Sequence, residues 1–386
     1  MAKYDYFKKY LRLVRSVKAV DISRVARKYF NPKAMSLVLM AKGNKAPLEN
    51  QLKKWQKDFQ KSVEAIKKQK IVEHKEKLSA AVNWKSQGRV GGKVAIEKLV
   101  LKTGAQIMFR PTFDTPVLSV RAAFLGGLRT EGRENLGLTD LLSRVWTSGT
   151  AHLSEQQIQA EIEDIAGGLS AFGGRNSVGL SLQALAPFEK RAGTLFEEVL
   201  ARAVISEQAV EREKLVKLEE IRSREDNPAQ IASQKFMENL FHGHAYALDM
   251  LGTRESVKKL NKKCVETFLE QSCQTSNLVI ALAGAVDRDY WLELFESATS
   301  RLQKGKVKKF ADPLETLKSD KFEFSELKKE QSHIMVGYRG LSLSDSDRYV
   351  LQIIQSILAG QGGRLFLELR DKASLAYSVS PMRMEG

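Results

Sequence analysis

Three polar residues on one predicted helix carry the first chemical signal. Residues 135–150, NLGLTDLLSRVWTSGT, hold an apolar stripe closed by Gly149 and Thr150. Asp140, Ser143 and Arg144 stand at i, i+3 and i+4, so a helix presents a carboxylate, a hydroxyl and a guanidinium on one face. The frame is that of a catalytic helix without an obvious nucleophile–base pair. His242 and His244 form an H-x-H pair in FHGHAY, a spacing that can bind metal. With no acidic or cysteine partner nearby, the pair reads as a loop contact with the helix that follows. Gly360, Gly362 and Gly363 precede another predicted helix. A glycine loop there can cradle phosphate, but no G-x-G-x-x-G or Walker spacing follows a strand, which argues against a nucleotide. Cys264 and Cys273 are the two cysteines. Their spacing fits no metal knuckle and reads as two reduced, mostly buried thiols.

The elements that position these residues follow from apolar period and punctuation. Residues 11–30 read as a helix stopped by Asn31-Pro32, and 35–43, MSLVLMAKG, as a buried strand. Over 50–77, Leu52, Trp55, Phe59, Val63 and Ile66 form the stripe of a connector helix. From residue 93 a new unit begins. AIEKLVLKTGAQIMFRP reads as two strands around a Lys-Thr-Gly turn, and PVLSVRAAFLGG as a strand with Leu118, Val120, Ala122 and Phe124 on one face. The helix of 135–148 comes next. Ser154 and Gln157 spell a capping box opening another helix, which Gly167-Gly168 ends. SVGLSLQAL (177–185) alternates like a half-buried strand. Helices are expected over 187–203, 207–225, 229–241 and 254–270, with Asn227-Pro228 as a break, and a strand over 277–284. After the linker-like 302–320, the order restarts: strand QSHIMVGYRG, helix SDSDRYVLQIIQSILAG, glycine turn, helix RLFLELRDK, strand SLAYSVS. The fold class is α+β, with helices packed on a largely antiparallel sheet.

Charge and length bound the functions. The net charge of +16 is concentrated in residues 1–100, which hold 25 Lys+Arg against 8 Asp+Glu, whereas the rest is nearly balanced. Such a segment can meet nucleic acid, anionic lipid or acidic protein. No finger spacing or RNA-binding strand pattern accompanies it, so nucleic acid is not an expected partner. The solvated helix face is the favoured reading. No apolar run suffices to span a bilayer and no secretory h-region is visible at the N-terminus. The chain is therefore expected to be soluble, in a bacterial cytoplasm or periplasm.

Two internal echoes organise the chain. Residues 17–43 match 257–284 as helix, polar loop and glycine-ended apolar strand. The strand 117–126 and helix 135–148 match 333–340 and 344–358. Expected divisions are therefore 1–45, the tail of a preceding subdomain; 46–92, a basic helical linker; 93–301, a complete subdomain; 302–325, a linker; and 326–386, the truncated start of a second subdomain. A segment of a larger protein is implied.

The stretches GGLRTEGRENLGLTDLLSRVWTSGT, EREKLVKLEEIRSREDNP, GHAYALDMLGTRESVKKL and GQGGRLFLELRDKASLAYSV carry a resemblance. In content, order and spacing the chain resembles the insulinase/pitrilysin family of zinc metallopeptidases, which includes the mitochondrial processing peptidases. The resemblance implies two homologous halves closing around a peptide. One half bears an inverted H-x-x-E-H zinc motif and a downstream glutamate ligand; the other is usually inactive and lends an arginine and a tyrosine to the substrate. Asp140 stands for the first histidine, Ser143 for the glutamate base, Arg144 for the second histidine and Glu220 for the downstream ligand. Ser143 cannot take a proton from water at neutral pH and Arg144 repels a dication. No metal is expected in this chain; zinc is expected in a catalytic half, from the same precursor or a separate subunit in a homo- or hetero-dimer. Arg370 and Tyr377, in RDKASLAY, match the substrate-binding pair. Alone they would read as a helix-capping Arg and a strand Tyr; the surrounding match reverses that. Gly360, Gly362 and Gly363 match, in a shorter form, a loop whose bare backbone lets peptide approach. The implied function is a non-catalytic, substrate-binding half forming one wall of a peptide chamber. The alternatives are a peptidase-derived binding or assembly protein, like relatives in a respiratory complex, and a chain that hydrolyses peptides alone through an unusual metal site.

Overall fold

The computed structural model describes residues 10, 12–14, 16–29, 45–68, 96–307, 309–310 and 320–384. The chain divides into two compact units, Met1–Val82 and Asn83–Gly386. The strand expected over 35–43 and most of the linker after residue 68 lie outside the described residues.

Among the described residues of the first unit are the helices α1 (Ala19–Tyr29) and α2 (Lys45–Lys68). On α2 the predicted stripe is present: the rings of Trp55 and Phe59 stack at 5.2 Å, one helical turn apart. No residue of α1 is buried, and its Val20 and Val25 are exposed.

In the second unit six strands form one sheet: β1 (Glu97–Val100), β2 (Gln106–Pro111), β3 (Val117–Leu125), β4 (Gly168–Gly173), β5 (Ser177–Leu185) and β6 (Leu278–Gly284). Their spatial order is β1-β2-β6-β3-β5-β4. All neighbours are antiparallel except β2 and β6. The sheet is thus the largely antiparallel one that the alternating strands predict. On β3 the period of two is sharp, with Leu118, Val120, Ala122 and Phe124 fully buried and Val117, Arg121 and Leu125 exposed between them.

Between residues 97 and 307 the described helices are α3 (Leu138–Val145), α4 (Glu155–Asp164), α5 (Glu189–Ala201), α6 (Glu207–Glu225), α7 (Pro228–Leu240), α8 (Arg254–Lys259), α9 (Lys262–Ser272) and α10 (Arg288–Ser300). The capping box of Ser154 and Gln157 forms as the sequence requires. The helix expected over 254–270 is broken: the chain turns at Leu260, and Asn261 caps α9 by accepting from the Cys264 N–H. α4 stops at Asp164, ahead of the predicted glycines, and Gly168 already belongs to β4. The core lies between the helices and one sheet face, around Trp146, Trp291, Phe124, Phe196 and Phe295. Cys273 is buried and Cys264 half-buried, and neither is in a disulfide.

Residues 320–384 contain α11 (Arg348–Leu358) and a π-helical segment, Phe366–Lys372. Strands do not form at 333–340 or 374–380, where the sequence alternation predicts them. Among the described residues no strand lies alongside to take their backbone hydrogen bonds, and Ile334, Val336 and Tyr338 stay more than three-quarters exposed. This stretch is tied to α7 through Arg339, whose Nε donates to the Leu240 carbonyl at 2.8 Å, and through the Lys235–Glu323 ion pair.

Candidate functional site

The helix of the opening motif begins at Gly137, which has φ of +95° and no room for a side chain: a Cβ would lie 2.6 Å from the Leu251 carbonyl oxygen. Its first turn is held by Glu131, six residues upstream. The Glu131 carboxylate accepts from the Gly137 N–H at 2.7 Å and from the Thr139 N–H at 2.5 Å. Two of the unpaired N–H groups at the helix N-terminus are satisfied in this way. Burial pushes the Glu131 carboxyl above its ordinary range, against these hydrogen bonds. Glu131→Ala is expected to cost about 1–2 kcal/mol of stability, read as a lowered denaturant midpoint with unchanged slope.

From this anchored start, α3 presents its apolar side to the sheet. Leu138, Leu141, Leu142 and Val145 are buried. Asp140, Ser143 and Arg144 are then carried together on the opposite side, which packs against α6. Arg144 is the centre of the cluster. Its Nε donates to Asp140 Oδ2 at 2.8 Å, and its Nη1 and Nη2 donate to the two Glu220 oxygens at 3.0 and 2.7 Å. Glu213 adds a longer contact at 4.0 Å. The planar guanidinium fork thus bridges α3 and α6 with a bidentate carboxylate pair. The Glu220 hydrogen bonds, with Asp140 adding to them, raise the Arg144 pKa further. Ser143 donates its hydroxyl to the Asp140 carbonyl at 2.8 Å and so has no free proton for chemistry.

Besides Glu131, a residue of α6 escaped the sequence reading. Lys217 is fully buried, and its Nζ donates to Asp140 Oδ2 at 2.6 Å and to the Gly137 carbonyl at 3.2 Å. Burial lowers its pKa, and the Asp140 charge opposes that shift. Glu213, Lys217 and Glu220 stand at i, i+4 and i+7 on α6, the one-face spacing that was available as a signal. Within a helix rich in Lys, Arg and Glu that spacing is common and names no site.

This donor set does not fit a dication. Asp140 is saturated by Arg144 and Lys217, and Glu220 by Arg144, so both carboxylates already face cations built into the chain. Among the described residues no group of three or more His, Cys, Asp or Glu side chains is arranged to hold a metal ion. The H-x-H pair is not such a group either. His244 Nδ1 accepts from the Tyr246 N–H at 3.1 Å and caps a short 3-10 turn, with its ring against Tyr246 at 4.6 Å.

The second set of predicted residues lies at the C-terminal end. Arg370 and Tyr377 come together: the Arg370 guanidinium sits 4.5 Å from the Phe366 ring centroid and 5.1 Å from that of Tyr377. The link is the π-helical segment and the turn after it, where Leu375 N–H donates to the Leu369 carbonyl at 2.8 Å. Tyr377 is 86% exposed. The glycines before this segment differ in role. A Cβ on Gly363 would lie 2.2 Å from the Ala359 carbonyl oxygen, so its bare backbone serves the turn at the end of α11, whereas Gly362 has open space where a side chain would be.

Matches to known proteins span the stretches that hold both sets of residues. Residues 113–254 match the family model for insulinase, peptidase family M16, and residues 259–382 match that for the peptidase M16 inactive domain. The chain belongs to the insulinase family, and is a non-catalytic half of that type. It is 25% identical over 284 residues to an uncharacterized zinc protease of Rickettsia felis, covering 72% of this chain and 68% of that one. A Streptomyces coelicolor zinc protease, also uncharacterized, is 29% identical over 275 residues, covering 68% of this chain and 60% of its own length. The crystal structure of a peptidase M16 inactive domain from Pseudomonas fluorescens superposes with a TM-score of 0.62 at 22% identity, over 72% of this chain and 68% of the other. The insulinase-family α+β fold expected from the sequence is borne out. No helix among the described residues is long and apolar enough to cross a membrane.

Proposed function

We propose that this chain is the substrate-binding half of an insulinase-like zinc peptidase, forming one wall of a peptide chamber. The observation that carries this reading is the Arg144 guanidinium, which bridges Asp140 and Glu220 at the positions that match the family's zinc ligands. Zinc is then supplied by an H-x-x-E-H half, in the same precursor or in a separate subunit, and peptide is the substrate. Arg370 and Tyr377 are the residues offered across to it, with Gly360, Gly362 and Gly363 framing their approach. Residues 1–45 and 326–386 act as parts of subdomains flanking the complete one. The exposed face of the six-stranded sheet supports the same reading, because among the described residues of its unit no helix packs on it.

The test is reconstitution. The purified chain is dialysed against trace zinc, assayed for metal, and mixed with an H-x-x-E-H subunit and a quenched fluorogenic peptide. The expected result is zinc far below one equivalent in this chain, and chelator-sensitive turnover that requires the partner and is enhanced by this chain. Near-stoichiometric zinc in the chain alone, or turnover indifferent to its addition, would sink the proposal. Recovery of the chain in a stable complex without any H-x-x-E-H subunit would favour the assembly reading instead.

A further inference from the structure

The exposed sheet face is unevenly charged. Alternation along the strands and the observed register assign Lys98 of β1, Arg110 of β2 and Arg121 of β3 to this face. All three are exposed. The other residues the register puts there are small, amide or apolar: Ser119 and Ala123 on β3, Ala281 and Ala283 on β6, Ser181 and Gln183 on β5. No strand position on this face holds Asp or Glu. The nearby acid of β1, Glu97, points the other way in the alternation and is paired with Arg288 at 2.6 Å.

The register also fixes how the two arginines lie. Arg110 pairs with Ala283 across to β6, and Arg121 pairs with Ala281 of the same strand. Between them runs a strand that contributes only methyl groups. Two strand spacings and two residues separate their Cα atoms, roughly 12 Å. The alanine methyls of β6 thus form a floor between the two strands that carry the arginines. Arg121 leans across β5, where its guanidinium carbon stacks 3.9 Å from the ring centroid of Phe172, which the register puts on the same face of β4. Stacking occupies the planar face and leaves the N–H edges for a carboxylate. Neither arginine makes an ion pair among the described residues, so both donor forks are available to a ligand.

We infer that this face binds an acidic peptide segment, with Arg110 and Arg121 pairing its carboxylates across the alanine floor. The inference rests on the proposed peptide-chamber role and adds a substrate class to it. A basic peptide meets three cations and no acid here, which disfavours it by like-charge repulsion.

The experiment uses the full chain and two fluorescein-labelled peptides of equal length and apolar content, one bearing four Glu and the other four Lys. Binding is followed by anisotropy at low and high salt. The acidic peptide is expected to bind, weakening as salt screens the pairs, and the basic one to bind far less. Arg110→Gln and Arg121→Gln should each weaken the acidic peptide about fivefold, and the double variant more than tenfold. Both side chains are exposed, and unchanged circular dichroism of the variants checks that the fold is kept. Equal binding of the two peptides, or an unchanged double variant, overturns the acidic preference and leaves the peptide-wall reading standing. Absence of binding to either peptide overturns both.

Discussion

Asp140→Ala is expected to destabilise the second unit by about 3–5 kcal/mol, more than any other single change in the cluster. The reason lies in what stays behind. Among the described residues Asp140 is the one carboxylate in contact with the fully buried Lys217 ammonium, at 2.6 Å, and the Gly137 carbonyl at 3.2 Å is only a dipole. Removing Asp140 leaves a desolvated charge whose remaining counter-charge, Glu131, acts only from a distance. Lys217→Met takes out that charge and fills its volume, leaving Asp140 still paired with Arg144; its effect should stay within about 1 kcal/mol. The double variant Asp140→Ala/Lys217→Met should therefore be more stable than Asp140→Ala alone. Denaturant unfolding followed by tryptophan fluorescence reads the cycle, since Trp146 and Trp291 are fully buried in this core. A double variant no better than Asp140→Ala would sink the argument.

The same cluster predicts a pH signature. Burial lowers the Lys217 pKa from its ordinary 10.5, and Asp140 works against that shift. Without Asp140 the folded-state value falls further. Between that value and 10.5 the unfolded chain then holds a proton that the folded chain has shed, so stability rises with pH across this interval. The deficit of Asp140→Ala should accordingly shrink as pH is raised from neutrality toward 10.5.

Much of the architecture was legible because each element carries its own punctuation. α6 runs from Glu207 to Glu225 as read, with Ser206 capping one end and Asn227-Pro228 opening the next helix. β5 spans Ser177–Leu185 because its alternation matches a half-buried face. What local pattern does not report is a neighbour. Val350, Ile353, Ile354 and Ile357 of α11 make the same stripe as Leu138, Leu141, Leu142 and Val145 of α3, yet they are exposed where the latter are buried. The strand at 333–340 fails for the same reason, since alternation specifies a strand only when another strand accepts its hydrogen bonds. The candidate site divides along this line. Asp140, Ser143 and Arg144 were legible from one helix. Lys217 and Glu131 were not, because their roles arise only when α6 and an upstream loop are brought to that helix. Lys217 sits in a helix with only two other buried residues, Ala209 and Val210, so nothing in its surroundings marks it as interior.

Arg370→Ala is expected to lower kcat/KM of the reconstituted peptidase by about 10²–10³, and Tyr377→Phe to lower kcat with KM nearly unchanged. The two effects separate because the groups differ. In the proposed role, Arg370 would offer a rigid donor fork to peptide carbonyls in the ground state and beyond. The Tyr377 hydroxyl can donate to charge that appears only as the scissile bond is attacked, and an interaction made only in the transition state is lost from kcat. Their stacking, with the guanidinium 5.1 Å from the Tyr377 ring, keeps the two donors in one place. The phenylalanine ring preserves that stack and removes one oxygen, so Tyr377→Phe isolates the hydroxyl. Arg370→Lys keeps a charge but not the fork, and rescue should be poor. A structural account of the same residues predicts the reverse pattern: Arg370→Ala would lower the melting temperature, Tyr377→Phe would change nothing, and Arg370→Lys would restore the protein. With Tyr377 86% exposed, there is little packing for a structural role to act through, and peptide turnover by the three variants separates the two accounts.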